Sequence, residues 1–291
     1  MKDRVAPAHY TCVVECNRKV VAWRNSGQPV VQMSEYQKIT QSVSFVVLAL
    51  NEQKVVEQVV REIHSTVDAL INTYEIILIN DGSTDRTGEI MEMLSRELTN
   101  TRVLHNNPNR GLGGSYKRGV EESRHDYVMM LCGDGGIPAS SLPAIVSKIG
   151  TADIVIPYVT NLREIKTLPR YLLSRSYTQL LNLLSGQRLT YYNGLPVHRR
   201  SLLKPSVMTS SGFGIQGEIL VKLLKSGHSF AEVGVLGGET TNKSSIFRPR
   251  NIVSVSRTVW KIAKLVVVLG LYQGKNGREH DLRGSSASLN K

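Results

Sequence analysis

Glu75-Ile76-Ile77-Leu78-Ile79-Asn80-Asp81-Gly82-Ser83 sets an unbroken apolar run directly against a polar turn. Upstream, Val43–Leu50 is also nearly all apolar and ends in Asn51-Glu52. Runs of this kind, apolar on both faces, are what strands buried inside a parallel sheet require. Between them, apolar residues fall at Val55, Val56, Val59, Val60, Ile63, Val67, Leu70 and Ile71. That is one face of a helix of period 3.6, and Asn51 is expected to cap it.

Working outward, Arg102–Leu104 reads as a third strand and Asn106–Gly114 as a glycine-rich loop, followed by a helix to about Ser123. Tyr127–Leu131 reads as a fourth strand and Ile154–Ile156 as a fifth. The order β-α-β-α-β-α-β predicts an α/β fold in which helices supply the crossovers between parallel strands. Ligands in such sheets bind beyond the carboxyl ends of the strands. Those ends are Asn51-Glu52, Asn80-Asp81, His105–Asn109 and Cys132-Gly133-Asp134.

After Pro157 the pattern changes. Residues 161–184 read as a basic helix carrying Arg163, Lys166, Arg170 and Arg175, Gly186–Gly194 as a loop, Gln216–Leu224 as an amphipathic helix and Ser229–Val235 as a strand. Near the start, Thr11–Glu15 and Lys19–Trp23 can pair as short strands. The expected organisation is an extension over 1–42, a main domain over 43–247, an amphipathic helix within 248–272 and a polar, disordered tail over 273–291.

The 291 residues are 41% hydrophobic and carry a formal net charge of +12, from 36 Lys+Arg against 24 Asp+Glu. That excess suits nucleic acid, an anionic membrane surface or a phosphorylated substrate. Zinc-finger spacing, basic-region heptads and an aromatic-rich RNA-binding signature are all missing, so nucleic acid is not expected as a partner. Cys12, Cys16 and Cys132 are too few for a disulfide scaffold, and Cys12 and Cys16 lack the partner pair of a zinc site. The first thirty residues carry charges throughout, and Val259–Tyr272 is interrupted by Lys261 and Lys264. Neither reads as a signal peptide or a membrane span. The expected location is the cytoplasm, with a peripheral seat at the inner membrane face as the alternative.

A dinucleotide fold needs glycines in its first strand-to-helix turn, and Ala49–Gln53 has none. Gly111-Leu112-Gly113-Gly114 comes too late in the chain, and a P-loop is absent. Asp81, placed where the second strand ends, can accept hydrogen bonds from a base or from ribose hydroxyls. Gly82 allows a close turn, and Asp85 can cap the next helix. Asp134 can bind a divalent cation that neutralises a diphosphate leaving group. Read alone, either Asp is equally an ordinary turn residue.

Asn51-Glu52, Asn80-Asp81-Gly82-Ser83-Thr84-Asp85, Asn109–Gly114 with Gly119, Gly133-Asp134, Asn193-Gly194 and Gly214-Ile215-Gln216-Gly217-Glu218 follow one another in a specific order. In that order and spacing, Val43 to about Phe247 resembles family-2 glycosyltransferases of the GT-A fold. The nearest branch looks like the polyprenyl-phosphate (dolichyl-phosphate) hexose transferases. The resemblance implies a Rossmann-like, mostly parallel sheet flanked by helices, with a C-terminal helical extension. It implies transfer of a sugar, with inversion, from a nucleotide-diphosphate sugar to a lipid-phosphate or hydroxyl acceptor.

By position, the resemblance makes Glu52 and Asp81 nucleoside contacts. They sit within a donor-binding set that also holds Leu48, Asn51, Ser83, Gly111, Gly113, Lys117, Gly133, Asp134 and Arg163. Asp134 matches the second acid of an Asp-x-Asp motif and is the expected ligand of Mg or Mn. Asn193, Gln216, Glu218 and Lys243 fall on the acceptor side. Asp134 and Glu218 are the expected catalytic residues, Glu218 as the base for a hydroxyl acceptor. Arg163, Arg170 or Arg175 can grip phosphate bidentately, or can simply lie on a solvated helix face. His228 reads as a turn residue, and His198, Arg199 and Arg200 face either acceptor or solvent.

The sequence departs from the family pattern in places. Cys132 stands where the first acid of the metal motif belongs, Gly136 replaces a Gln of the carrier-lipid branch, and Leu48 and Leu50 replace a Pro and a Tyr. No acid precedes Asn193-Gly194, and Thr240–Ser245 replaces an Arg- and Lys-rich segment. A non-catalytic nucleotide-sugar binding module and a transferase for a soluble small-molecule acceptor therefore stand as alternatives. The Lys261 and Lys264 helix either lies at a membrane interface or docks on the domain.

Overall fold

The computed structural model describes residues 10–16, 19–24, 38–238, 253–264 and 266. Strands β1 (Tyr10–Cys16) and β2 (Lys19–Arg24) form the expected antiparallel pair, with Cys16 opposite Lys19. The main sheet contains β3 (Val43–Ala49), β4 (Tyr74–Asn80), β5 (Thr101–His105), β6 (Tyr127–Cys132), β7 (Ile154–Val159), β8 (Val197–Arg199) and β9 (Phe230–Val235). Its spatial order is β5-β4-β3-β6-β8-β7-β9. The pairings are parallel except for β8, which runs antiparallel to both β6 and β7.

Helices α1 (Val56–Leu70), α2 (Thr87–Glu97) and α3 (Gly111–Glu122) supply the first three crossovers. They are followed by α4 (Leu142–Val146), α5 (Leu162–Ile165), α6 (Leu168–Ser185) and α7 (Ile215–Lys225). Successive strand residues point to opposite faces, so the sheet feeds two cores. Val43, Phe45, Val47 and Ala49 of β3 pack with Val56, Val60, Ile63 and Val67 of α1. Val46 and Leu48 pack on the other side, with Tyr116 of α3, Leu181 of α6 and Ile219 of α7. Helix α3 lies so close to the sheet that a Cβ on Gly119 would come within 2.3 Å of Val46 Cγ1.

Four expectations change. Helix α1 starts at Val56, not after Asn51, which sits at φ +59°. The glycine-rich loop ends earlier than expected, with Gly111 and Gly113 in the first turn of α3. The basic helix over 161–184 is two helices. The chain is extended at Lys166-Thr167, and Pro169 enters the first turn of α6, where its missing N–H breaks no helical bond. Finally, β8 lies in what read as irregular chain. Its His198 is fully buried, with neither ring nitrogen hydrogen-bonded among the described residues, and burial alone pushes its pKa down to about 3. His198 therefore faces neither acceptor nor solvent. Arg199 pairs with Asp153 and stacks over Tyr127, and Arg200 Nε donates to His125 O. Both arginines thus sit at the amino-terminal end of β6, away from the carboxyl ends of the strands.

The stretch 253–264 is helical and docks on the domain, with Thr258 and Ile262 buried. Among the described residues, no helix is long and apolar enough to cross a membrane.

Candidate active site

The carboxyl ends of β3 and β4 are tied together by their own polar side chains. Asn51 Oδ1 accepts from Thr84 N (2.9 Å), and Asn51 N donates to Ser83 Oγ (3.0 Å). Glu52 N donates to Thr87 Oγ1 (2.8 Å) and Gln53 N to Asp85 Oδ2 (3.3 Å). Asp85 also accepts from Thr87 N (3.0 Å), so it supports the start of α2 as expected, although Arg86 occupies the cap position. Burial would raise the Asp85 pKa, but hydrogen bonds from Thr87 and from the Gln53 amide outweigh it and hold the carboxyl below its ordinary value. Gly82, at φ +73°, passes close to Asn106 O and Asn109 N, where a side chain would be strained.

Asp81 stands in the middle of this edge, 5% exposed. Its amide donates to Ala49 O (3.0 Å), and its Oδ1 accepts from Asn106 Nδ2 and Arg110 N, both at 2.8 Å. Asn109 Nδ2 donates to Asp81 O (2.6 Å), and Arg118 Nη1 holds Asn106 Oδ1 (2.7 Å). Among the described residues no hydrogen bond is directed to Asp81 Oδ2, which leaves one oriented carboxylate oxygen for a ligand. Asn109 was quoted from sequence only as the start of a motif, and Asn106 and Arg118 were given no role. The signal was present, because Asn106-Asn107-Pro108-Asn109 directly follows a strand.

The third part of the edge is the turn after β6. Gly133 N donates to Leu48 O (2.8 Å), Gly136 N to Asp134 Oδ1 (3.0 Å) and Gly238 N to Gly136 O (3.3 Å). A Cβ on Gly133 would meet Ala49 Cβ at 2.9 Å, so only glycine lets this turn lie against β3. Burial, and then the negative charges of Asp134 and Glu52, push the Cys132 thiol well above its ordinary pKa. Cys132 is therefore a neutral thiol between two carboxylates, and a poor ligand for a hard cation. Among the described residues, no three His, Cys, Asp or Glu side chains form a metal cluster. The donor set still fits Mg or Mn, which commonly take one or two carboxylates and complete their shell with substrate phosphates and water. Asp134 is the carboxylate that would hold such a cation.

The chain after β7 carries the residues expected on the acceptor side. Asn161 Oδ1 accepts from Gly237 N (2.9 Å) and its Nδ2 donates to Gly237 O (3.2 Å), which places 160–166 beside the loop that touches Gly136. Arg163 is exposed on α5, 5.3 Å from the Tyr171 ring centroid. Asn193 is partly exposed, beside Gly194, where a Cβ would meet Pro157 O at 1.6 Å.

Several expected site residues are placed elsewhere. Glu218 is 1% exposed and is bonded to Lys222 Nζ (2.6 Å), Ser210 N (2.8 Å) and Thr209 Oγ1. Desolvation would raise its pKa, but these bonds outweigh it and keep Glu218 ionised, as an anchor for α7 rather than an accessible base. Gln216 is buried against Met130, and Leu48 contributes its side chain to the core and its carbonyl to Gly133. Gly113 N donates to Ser211 O (3.0 Å), and a Cβ there would lie 2.6 Å from Ser211 C. Gly113, expected in the donor-binding set, thus has its amide committed to Ser211 and is required by packing, and Gly111 N is likewise held by Asn109 Oδ1 (2.9 Å). Lys117 has no strand-end acid among the charges that act on it. Burial lowers its pKa, and the charges acting on it are Glu218, Lys261, Glu121 and Lys222. Lys243 lies outside the described residues.

Residues 44–204 match the family model described as glycosyl transferase family 2. An undecaprenyl-phosphate 4-deoxy-4-formamido-L-arabinose transferase of Pseudomonas fluorescens is 28% identical over 163 residues, 55% of this chain and 48% of that protein. A dolichyl-phosphate beta-glucosyltransferase of Dictyostelium discoideum is 42% identical over 65 residues, 22% of this chain and 20% of that protein. The chain thus spans about half or less of the length of these curated relatives. Among solved structures, glucosyl-3-phosphoglycerate synthase of Mycobacterium tuberculosis with Mn2+, UDP and glucosyl-3-phosphoglycerate superposes with a TM-score of 0.61 at 20% identity. The match covers 81% of this chain and 86% of that one. The same synthase with Mg2+ and UDP gives 0.56 at 19% identity, over 77% and 80% of the two chains. These likenesses carry the GT-A fold.

Proposed function

The chain belongs to glycosyl transferase family 2, and we propose that it moves a sugar from a nucleotide-diphosphate donor, with inversion, to a lipid-phosphate acceptor. The observation that carries the reading is the convergence of Glu52, Asp81 and Asp134 at the carboxyl ends of three adjacent parallel strands, β3, β4 and β6. Asp81 Oδ2 and Glu52 are the nucleoside contacts, at an edge whose turns are bonded to one another. Asp134 stands under the diphosphate. Asp134 would hold a divalent cation there, which when bound would supply positive charge to the departing nucleoside diphosphate. Arg163, exposed on α5, adds a guanidinium that can pair with phosphate oxygens of donor or acceptor.

In the reaction the bond from the anomeric carbon to the donor phosphate oxygen breaks, and its electron pair leaves with the diphosphate. The acceptor oxygen forms the new bond from the opposite side. A phosphate acceptor is already ionised and needs no general base. That suits an acceptor side whose one expected base, Glu218, is buried and fully bonded. The curated relatives named for undecaprenyl phosphate and dolichyl phosphate support the same acceptor class. The synthase of known structure, whose product is a glucosylated phosphoglycerate, keeps a soluble phosphorylated acceptor in view.

Cys132 in place of an acid favours a second reading, a module that binds nucleotide sugar without turning it over. Incubation with UDP-, GDP- and TDP-sugars plus Mn2+ and a polyprenyl phosphate separates the two. Release of nucleoside diphosphate together with a glycosylated lipid is the expected result. Donor binding without any release would establish the module.

A further inference from the structure

Helix α6 is amphipathic in the wrong sense for a helix that only covers a core. Its buried residues are Ser174, Thr178, Leu181 and Ser185, three of them hydroxylated. Its exposed residues include Leu168 (69%), Leu172, Leu173, Leu180 and Leu183 (79%). At 100° per residue the five leucines fall on one side of the helix, opposite the buried stripe. An outward apolar face of this size marks an interaction site rather than ordinary surface scatter.

The charges around it specify the partner. Residues 165–217 contain no Asp or Glu, while Lys166, Arg170, Arg175, Arg188 and Lys204 lie along them. Arg175, Arg188 and Lys204 are exposed. The helical stretch 253–264 repeats the pattern, with Val253 and Trp260 (65%) exposed beside Arg257, Lys261 and Lys264. Lys264 Nζ lies 5.5 Å from the Trp260 ring centroid. Both helices pack on α7, α6 through Tyr177 and Leu181 against Gly217, and 253–264 through Thr258 against Gly214. They belong to one layer of the molecule. Leucine and tryptophan flanked by cations, without acids, is the composition of a helix lying in an anionic lipid interface.

We propose that the outer face of α6, with Trp260 as a second anchor, seats this protein on an anionic lipid surface. This names the phase that delivers the acceptor and in that respect rests on the lipid-phosphate reading above. Helix α5 and its Arg163, which open the acceptor half of the site, immediately precede the seated helix, so a phosphate at the headgroup level lies near the same loop.

The test is sedimentation of the full chain with vesicles of phosphatidylglycerol and phosphatidylcholine, and with vesicles of phosphatidylcholine alone. No donor or acceptor is present. The wild type is expected on the anionic vesicles and released by high salt, since each cation near such a surface strengthens binding about fivefold. L172E/L183E is expected to lose partitioning by about tenfold or more while keeping its thermal melt and its donor affinity. A milder pair, L168S/L183S, is expected to weaken binding in the same direction and serves if the charged pair does not fold. Equal partitioning of wild type and both variants overturns the proposal. So does a wild type that ignores anionic vesicles, or one that is a dimer in solution which L172E/L183E makes monomeric, since a second copy then covers the face. Donor binding, measured in solution, reports on the transfer reading independently. Vesicle binding without donor binding sinks transfer and leaves the surface standing, and the reverse result sinks only the surface.

Discussion

The loops after β3, β4 and β5 and the helices after β7 use polar residues in opposite ways. In the first region Asn51, Asp81, Ser83, Asp85, Asn106 and Asn109 bond to one another or to neighbouring backbone, so the turns are fixed by side chains that also line the edge. In the second, Ser174, Thr178 and Ser185 are turned inward while leucines face out. A preorganised edge binds a rigid, polar ligand without first ordering itself. An outward apolar helix makes sense when the partner is large and soft. On the proposals above, the first region would take a nucleotide from water and the second an acceptor from an interface.

The largest expected effect falls on the donor half. Asp134→Ala is expected to lower kcat/KM by about a hundred- to a thousandfold, the scale of removing charge stabilisation from a leaving group. Its circular dichroism should be unchanged. A variant that turns over like wild type would detach the cation from Asp134.

Next is the residue that the structure moved from chemistry to architecture. Glu218→Gln is expected to lower urea stability by about 3 kcal/mol, because Lys222 keeps its charge near a buried site without its partner. Donor affinity of the folded fraction should not change. Full stability with collapsed turnover would restore Glu218 as a base and move acceptor chemistry onto α7.

A smaller effect is expected at the nucleoside. Asp81→Asn keeps an oxygen for Asn106 and Arg110 but removes the charge presented to the ligand, and should weaken donor binding about tenfold. Stability should stay nearly constant, and a large loss of it would mean that Asp81 serves the fold alone.

A test of another kind, by pH, reads the core behind the strand-end edge. His198 binds its proton near pH 6.5 when unfolded and near pH 3 when folded. Below pH 6.5 the unfolded state therefore holds more protons, so stability falls as pH drops and the loss is complete near pH 3. The slope should approach about 1.4 kcal/mol per pH unit in that window. Urea titrations of His198→Leu should show a flatter dependence. An identical slope would mean that His198 is hydrated in the folded state.

What the sequence revealed follows from what kind of signal each part carries. The buried strands β3, β4 and β6 are long apolar runs with polar stops, and such runs are legible one at a time. Strand β8 is three residues long, one of them a histidine, and exists only because β6 and β7 flank it. The strand-end acids were legible because position after a strand is itself information. Glu218 was misread because burial of a carboxylate depends on Thr209, Ser210 and Lys222 converging on it, and only Lys222 is visible in the helical repeat. Gly113 was misread for a similar reason, since its neighbour Ser211 is remote in the chain. The break before α6 was signalled by Pro169, and the outward leucines were in view as well, but a helical period does not say which face is inward.

The central claim is that the β3, β4 and β6 edge is a nucleotide-sugar site in which Asp81 reads the nucleoside and Asp134 the diphosphate. Calorimetric titration of UDP-, GDP- and TDP-sugars into wild type, Asp81→Asn and Asp134→Ala, each with and without Mn2+, tests it most directly. One nucleotide class is expected to bind the wild type and to be strengthened by Mn2+. Asp81→Asn should weaken that binding with or without metal, and Asp134→Ala should abolish only the strengthening. Failure of every donor to bind, or the same affinity in all three proteins, would contradict it.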